Sequence, residues 1–348
     1  MKAAVYQRPG LIEVKDVPTP RPGPRDVLLR VRTVGICGSD LHVYRKGHYG
    51  AQPGWIMGHE FCGEAVHIGD EVTDATVGGR YTGFSVQFCG ECFWCRRGQQ
   101  RLCPELFQHY TGYGAPGAMA EYVLIRDAAP ARNLFAIPDS LNDEAAAVAE
   151  PLGTAAYAVR RAKPADGDTI VVIGAGMIGN LLVQAIKATV NATVIVTEVS
   201  PQRAELALRL GADQVIDARR PDVVDAVRNA TGRGRYAFGE GGMADIVFNA
   251  AAAPPTFAQS LDFVRSKGTV VLVGLAEEPA TADVSLIAYK DIRLLGVMGS
   301  AISDGVDLLR KGNVRVDPLI THRLPLTDAD AAFRHAADPA SIKVVMSP

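Results

Sequence analysis

Apolar residues change their period along this chain. From residue 1 to about 153 they come in short β-branched runs, such as Val27 to Val34 and Glu121 to Ile125, repeatedly cut by Gly and Pro. That pattern predicts a β-rich domain with long loops. From about 154 to 295, short apolar runs alternate with stretches whose apolar positions recur every three or four residues. Thr169 to Ile173, Thr193 to Thr197, Asp213 to Ile216, Asp245 to Phe248, Thr269 to Val273 and Arg293 to Val297 read as strands. Strands separated by amphipathic helices assemble into a doubly wound parallel sheet. The first of these helices shows its buried face in Ile178, Leu181, Leu182, Ala185 and Ile186. Ser200, just ahead of Pro201, caps the second. The remainder, 296 to 348, mixes short helices with a strand Ile342 to Met346 and is expected to complete the first domain. The Gly-rich run Gly232 to Gly242 is expected to be a mobile loop, and no internal repeat is found.

Composition changes this picture only by exclusion. With 348 residues, 48% hydrophobic and 21% charged, the chain can bury the cores of two ordinary domains. The formal charge of -2 is spread along the chain, so nucleic acid is not indicated as a partner. Met1 leads straight into the alternating segment Lys2 to Tyr6, and no run approaches the roughly 20 apolar residues that span a bilayer. The expectation is a cytoplasmic protein with no membrane partner. Four of the six cysteines, Cys89, Cys92, Cys95 and Cys103, crowd into one stretch. In a reducing compartment such a cluster binds metal more often than it forms disulfides.

Candidate chemistry sits at three places. The strand Ile170 to Ile173 runs directly into Gly174, Ala175, Gly176, Met177, Ile178 and Gly179, and then into a helix. Gly174 permits the tight turn, Gly176 lets backbone approach a pyrophosphate, and Gly179 lets helix and strand pack closely. Glu198 ends the next strand, where a carboxylate accepts from ribose hydroxyls and repels a 2'-phosphate, favouring NAD over NADP. Arg203, a basic residue near the expected ribose, weakens that preference or is a solvated helix charge.

The cysteine cluster has the spacing C-x2-C-x2-C-x7-C, which lets four thiolates converge on one zinc ion with no coordination position open, a structural site. An iron site, a redox dithiol or unrelated surface thiols are the alternatives. Cys37, His59 with Glu60, and Glu150 offer thiolate, imidazole and carboxylate from separate segments. Such a set suits a zinc ion with a free position, the requirement for a Lewis acid that lowers the pKa of an alcohol. Singly, each has a duller reading: a core thiol, an interior histidine, an exposed charge. Ser39 can accept the hydroxyl proton and pass it, through the ribose hydroxyls, to His42. Asp40 can orient an imidazole such as His59.

These residues together resemble the zinc-containing medium-chain alcohol dehydrogenases, in the branch of sorbitol-type polyol and threonine dehydrogenases. The likeness is carried by GICGSDLH at 35 to 42, GHE at 58 to 60, the four cysteines, EPLGT at 150 to 154, GAGMIG at 174 to 179 and ITHR at 320 to 323. It implies a GroES-like catalytic domain, 1 to 153 completed by 296 to 348, and a Rossmann domain, 154 to 295, with the active site in the cleft between them. It also implies Cys37 and His59 as catalytic zinc ligands, with Glu60 and Glu150 exchanging the remaining place with water, Thr154 against the nicotinamide, and a homodimer or homotetramer. Val43, Gly299 and Val86 stand where relatives resembling this chain carry residues tied to polyol or threonine. The expected activity is therefore NAD-dependent oxidation of a small polyol or vicinal diol, with threonine 3-dehydrogenase or an amino-alcohol enzyme as alternative. A non-catalytic NAD-binding protein is the rival from another class, and the intact set Cys37, Ser39, His42, His59, Glu60 and Glu150 counts against it.

Overall fold

The computed structural model describes residues 1–251, 253–276 and 278–348, with His48 by its backbone alone. The chain divides into two compact units, Met1–Glu150 together with Val316–Pro348, and Pro151–Arg315.

In the first unit, strand Val27–Gly35 buries seven of its nine residues because it is paired on both edges. It lies between Glu60–Ile68 and Lys343–Ser347 in a sheet whose order runs Ile320–Pro325, Lys343–Ser347, Val27–Gly35, Glu60–Ile68, Arg80–Gly83, Leu134–Ala136, and Tyr122–Ile125 also pairs with Val27–Gly35. The C-terminal strand is thus built into the N-terminal sheet, antiparallel to Val27–Gly35 with Val345 opposite Gly35. Leu29, Val34, Phe61, Ile125, Phe333 and Met346 belong to one buried cluster that draws on both chain ends. Removing that apolar area from water, at about 25 cal/mol per Å², is the main term holding the two chain ends together.

The second unit is a six-stranded parallel sheet ordered Gln214–Asp217, Thr193–Glu198, Thr169–Ile173, Ala244–Asn249, Val264–Leu272, Arg293–Gly296. Ile170, Val171, Val172 and Ile173 are all buried, as expected of a parallel strand covered on both faces. In chain order the strands read 3-2-1-4-5-6, the doubly wound arrangement whose crevice opens beside strand one, where the connections change direction. Helix Met177–Thr189 follows strand one and buries Leu181, Leu182, Ala185 and Ile186, while Ile178 is half-buried. Ser200 caps helix Pro201–Arg209 by accepting from Arg203 N.

Two expectations are corrected. The run Gly232 to Gly242 forms a two-stranded hairpin, Arg233–Tyr236 with Gly239–Gly242, rather than a loop. Arg233 reaches across it to Glu240 at 2.8 Å and back to Asp225 at 2.9 Å, and Gly242 packs its bare α-carbon against the Phe263 backbone. Residues 296 to 315, expected in the first domain, cluster with the second unit. There Ala301 N donates to Gly153 O at 3.1 Å, an approach possible because Gly153 has no side chain; a Cβ on it would stand 2.3 Å from Ser300 Oγ.

Candidate active site

Cys37 precedes helix Gly38–Lys46 with extended backbone, φ -86° and ψ 158°. Its N–H donates to Asp40 Oδ2 at 2.9 Å, so the helix start is closed by its own first-turn carboxylate. His59 is set by Gly58, which has φ +97°; a Cβ there would lie 2.8 Å from Met119 Cγ and 3.0 Å from Met119 N. Glu60 begins the strand that pairs with Val27–Gly35, opposite Gly35. These neighbouring strand ends bring Cys37, His59 and Glu60 together, with their ligand atoms within 4.8 Å of one another.

The charges around this group are out of balance. Asp40, Glu60 and His59 are all buried. Burial pushes Glu150 up to about 7, with Glu60 and Asp40 adding to the rise and His59 and Lys343 opposing it. Burial acts to lower the His59 imidazole, yet the Cys37 sulfur, the Asp40 carboxylate and Glu150 hold it well above its usual range. Asp40 is raised, first by burial, with His59 opposing. The buried counter-charge is Lys343, which donates to Ile36 O at 2.9 Å and forms an ion pair with Glu60 Oε2. His59 Nδ1 is buried with no hydrogen-bond partner among the described residues. A soft thiolate, an imidazole and a carboxylate within reach of one point, in a pocket of surplus negative charge, fit a zinc ion.

The four cysteines fit a second. All are free thiols, and their sulfurs lie within 4.8 Å of one another. Cys89 and Cys95 Sγ are 3.9 Å apart, Cys103 and Cys89 Sγ 3.6 Å. A tetrahedron with zinc–sulfur bonds of about 2.3 Å has edges of about 3.8 Å. Cys92 N and Cys95 N donate to Cys89 Sγ and Cys92 Sγ, which fixes the positions of these two sulfurs.

In the second unit the glycines of the turn differ in their steric surroundings. Gly174 has φ +91°, and a Cβ on Gly179 would lie 1.8 Å from Gly174 O, while one on Gly176 would meet only Arg203 Nη1 at 3.9 Å. Gly176 is therefore the sterically open position of the turn, and the half-buried Met177 and Ile178 open the helix beside it. Glu198 is buried and already accepts from Ala175 N at 2.6 Å, Val199 N at 2.7 Å and Ser200 N at 2.8 Å. These three donors hold its carboxylate in place, with lone-pair capacity left for a hydroxyl donor.

Not every expected residue joins. Glu150, in the first turn of helix Ala149–Ala162, lies outside the Cys37, His59, Glu60 group and acts on it through charge. Asp40 Oδ1 is 3.9 Å from His59 Nδ1, too far for the orienting hydrogen bond; its bond goes to Cys37 N instead. His42 shares the helix of Ser39 and lies 6.4 Å, ring to ring, from Tyr49. Thr154 is half-buried on helix Ala149–Ala162. Two site residues escaped the sequence reading. Lys343 could have been flagged as a charge opening an otherwise apolar strand, and Tyr113 as an aromatic between Gly112 and Gly114.

A doubly wound sheet with a dinucleotide turn, and a thiolate, imidazole and carboxylate cluster, define a zinc-dependent oxidoreductase linked to NAD(P) and acting on CH–OH groups. Residues 23–139 match the alcohol dehydrogenase GroES-like domain and residues 178–311 the zinc-binding dehydrogenase family. The chain is 32% identical to an L-threonine 3-dehydrogenase of Rhizobium rhizogenes, covering 99% of this chain and 98% of that one. It is 33% identical to a sorbitol dehydrogenase of Halalkalibacterium halodurans, covering 100% and 99%. A solved zinc-binding dehydrogenase from Sinorhizobium meliloti, bound to NADP, superposes with a TM-score of 0.88 at 31% identity, over 100% of this chain and 99% of that one. The chain belongs to the zinc-containing medium-chain dehydrogenase/reductase superfamily, with homology to its threonine and polyol dehydrogenase branch. No helix among the described residues is long and apolar enough to cross a membrane.

Proposed function

We propose that this enzyme oxidises a small polyol or other vicinal diol at a secondary carbon, with NAD preferred over NADP, in a cytoplasmic homo-oligomer. The observation that carries the reading is the meeting of half-buried Cys37 with buried His59 and Glu60 within 4.8 Å. Bound to the chain, zinc supplies Lewis acidity to a hydroxyl oxygen and the dinucleotide supplies a hydride acceptor. Cys37, His59 and one carboxylate, Glu60 or Glu150, hold the metal; Cys89, Cys92, Cys95 and Cys103 hold the structural ion. Lys343 holds Glu60 in place through its ion pair. Ser39 Oγ receives the hydroxyl proton, and His42, on the same helix, releases it to solvent. Gly174, Gly176, Met177, Ile178 and Gly179 seat the pyrophosphate, with Arg203 nearby. Glu198 disfavours a 2'-phosphate by charge, and Thr154 faces the nicotinamide.

A second reading, oxidation of L-threonine, draws support from the Rhizobium relative's name. Turnover of sorbitol, butane-2,3-diol and L-threonine by zinc-replete enzyme, with NAD and NADP in parallel, is followed by the absorbance of reduced nicotinamide. The proposal expects a diol with NAD to give the highest kcat/KM. Threonine turnover alone supports the second reading, and failure of every alcohol leaves a non-catalytic NAD-binding protein.

A further inference from the structure

Residues 107–117 fold back on the segment that carries His59 through backbone contacts. Gly117 N donates to Ile56 O at 2.7 Å and the next residue, Ala118, donates its N–H to Gly58 O at 2.9 Å, while within the fold-back Gly114 N donates to Phe107 O at 2.9 Å. Glycine is required for the approach: Gly112 has φ +82°, and a Cβ on it would stand 2.9 Å from Gly58 C and O; one on Gly114 would stand 2.0 Å from Gln108 O. The residue held between those glycines is Tyr113. Its ring stacks on His59 with centroids 5.3 Å apart and planes 27° from parallel, and Phe107 closes on it at 5.0 Å. Its hydroxyl donates to Ser39 Oγ at 2.9 Å.

We propose that Tyr113 is a positioning residue for proton transfer, fixing the direction in which Ser39 relays. A serine hydroxyl offers one proton and two lone pairs. With one lone pair filled by the phenol, a single lone pair remains to accept an incoming proton, and the serine's own proton leaves on the other side. Tyr113 keeps its proton throughout, so one proton enters Ser39 and one departs. Without the phenol the Ser39 hydroxyl rotates freely, and productive orientations become a fraction of the total. This rests on Ser39 as the first proton acceptor, the reading given under the proposed function.

Tyr113→Phe keeps the ring on His59 and removes only the donor. Its kcat is expected to fall about tenfold, part of the roughly 10²- to 10⁴-fold that a positioned acid–base group contributes, with KM within about twofold and a larger solvent deuterium effect. In a Ser39→Ala background the same substitution is expected to change nothing further, because the two residues act as one unit. A readout independent of turnover comes from protein labelled with 13C at tyrosine Cζ. The Tyr113 resonance, assigned by its loss in Tyr113→Phe, is expected to move in Ser39→Ala, whereas a purely packing role leaves it unmoved. Unchanged kcat in Tyr113→Phe, losses that multiply in the double variant, or a Tyr113 resonance indifferent to Ser39 would each overturn the proposal. If the parent turns over no alcohol, the functional reading fails on its own, and the resonance still reports the hydrogen bond.

Discussion

Replacing Lys343 by Met removes the ammonium from a pair whose side chains are only 3% and 2% exposed. Two acceptors lose their donor at once, Glu60 Oε2 and Ile36 O. Burial alone pulls the Lys343 ammonium down, and Glu60 and then Cys37 outweigh it to leave it raised, so the interaction with Glu60 is the dominant favourable term. Breaking a buried pair from one side costs about 3–5 kcal/mol, since an uncompensated charge is left behind. For a unit of this size roughly 2–4 °C accompanies each kcal/mol, so the melting temperature of the holoenzyme should fall by about 10 °C. Glu60→Gln removes the charge that needs compensation. In that background Lys343→Met should cost less than half as much. Differential scanning calorimetry of the four proteins measures the cycle. A fall below about 2 °C, less than the shift that roughly 1 kcal/mol produces, or an equal fall in both backgrounds, would refute the electrostatic reasoning.

Other consequences are equally direct. Gly179→Ala places a methyl where 1.8 Å separates it from Gly174 O; the turn must open, and NADH affinity, read by fluorescence titration, should drop at least about tenfold while zinc content stays unchanged. Burial pushes Lys290 down to about 8, although its ammonium caps the Leu261 and Asp262 carbonyls at 2.7 and 3.0 Å. Between about pH 8 and its ordinary value of 10.5 the unfolded chain binds the extra proton, so stability should rise with pH across that window, by on the order of 3 kcal/mol. Below about pH 8 both states are protonated and the penalty is constant. Urea unfolding of parent and Lys290→Met at several pH values tests this, and an identical slope in both would count against it.

The alternation of strands and helices from 154 onward was legible because a parallel strand buried on both faces must be apolar throughout, as Ile170 to Ile173 are. Gly174 and Gly179 were legible because each answers a local steric demand, whereas Gly176, sterically open, was read from its place in the motif. The cysteine cluster needed only short chain closure. The hairpin at Gly232 to Gly242 was not legible, since strands rich in glycine carry no alternating side chains; its register is held by Arg233 and Glu240. Lys343 lies 283 positions from Glu60 and Tyr113 74 from Ser39. No local pattern announces such pairs, and only the return of the C-terminal strand to the first sheet creates the former.

Zinc stoichiometry, read by plasma emission spectrometry alongside NADH binding and turnover, tests the central claim most directly. The parent should hold two ions per chain, and Cys37→Ala should hold one, keep its NADH affinity and lose activity. An active parent with a single zinc, or a Cys37→Ala variant that retains both ions, would contradict a catalytic centre built on Cys37, His59 and a carboxylate.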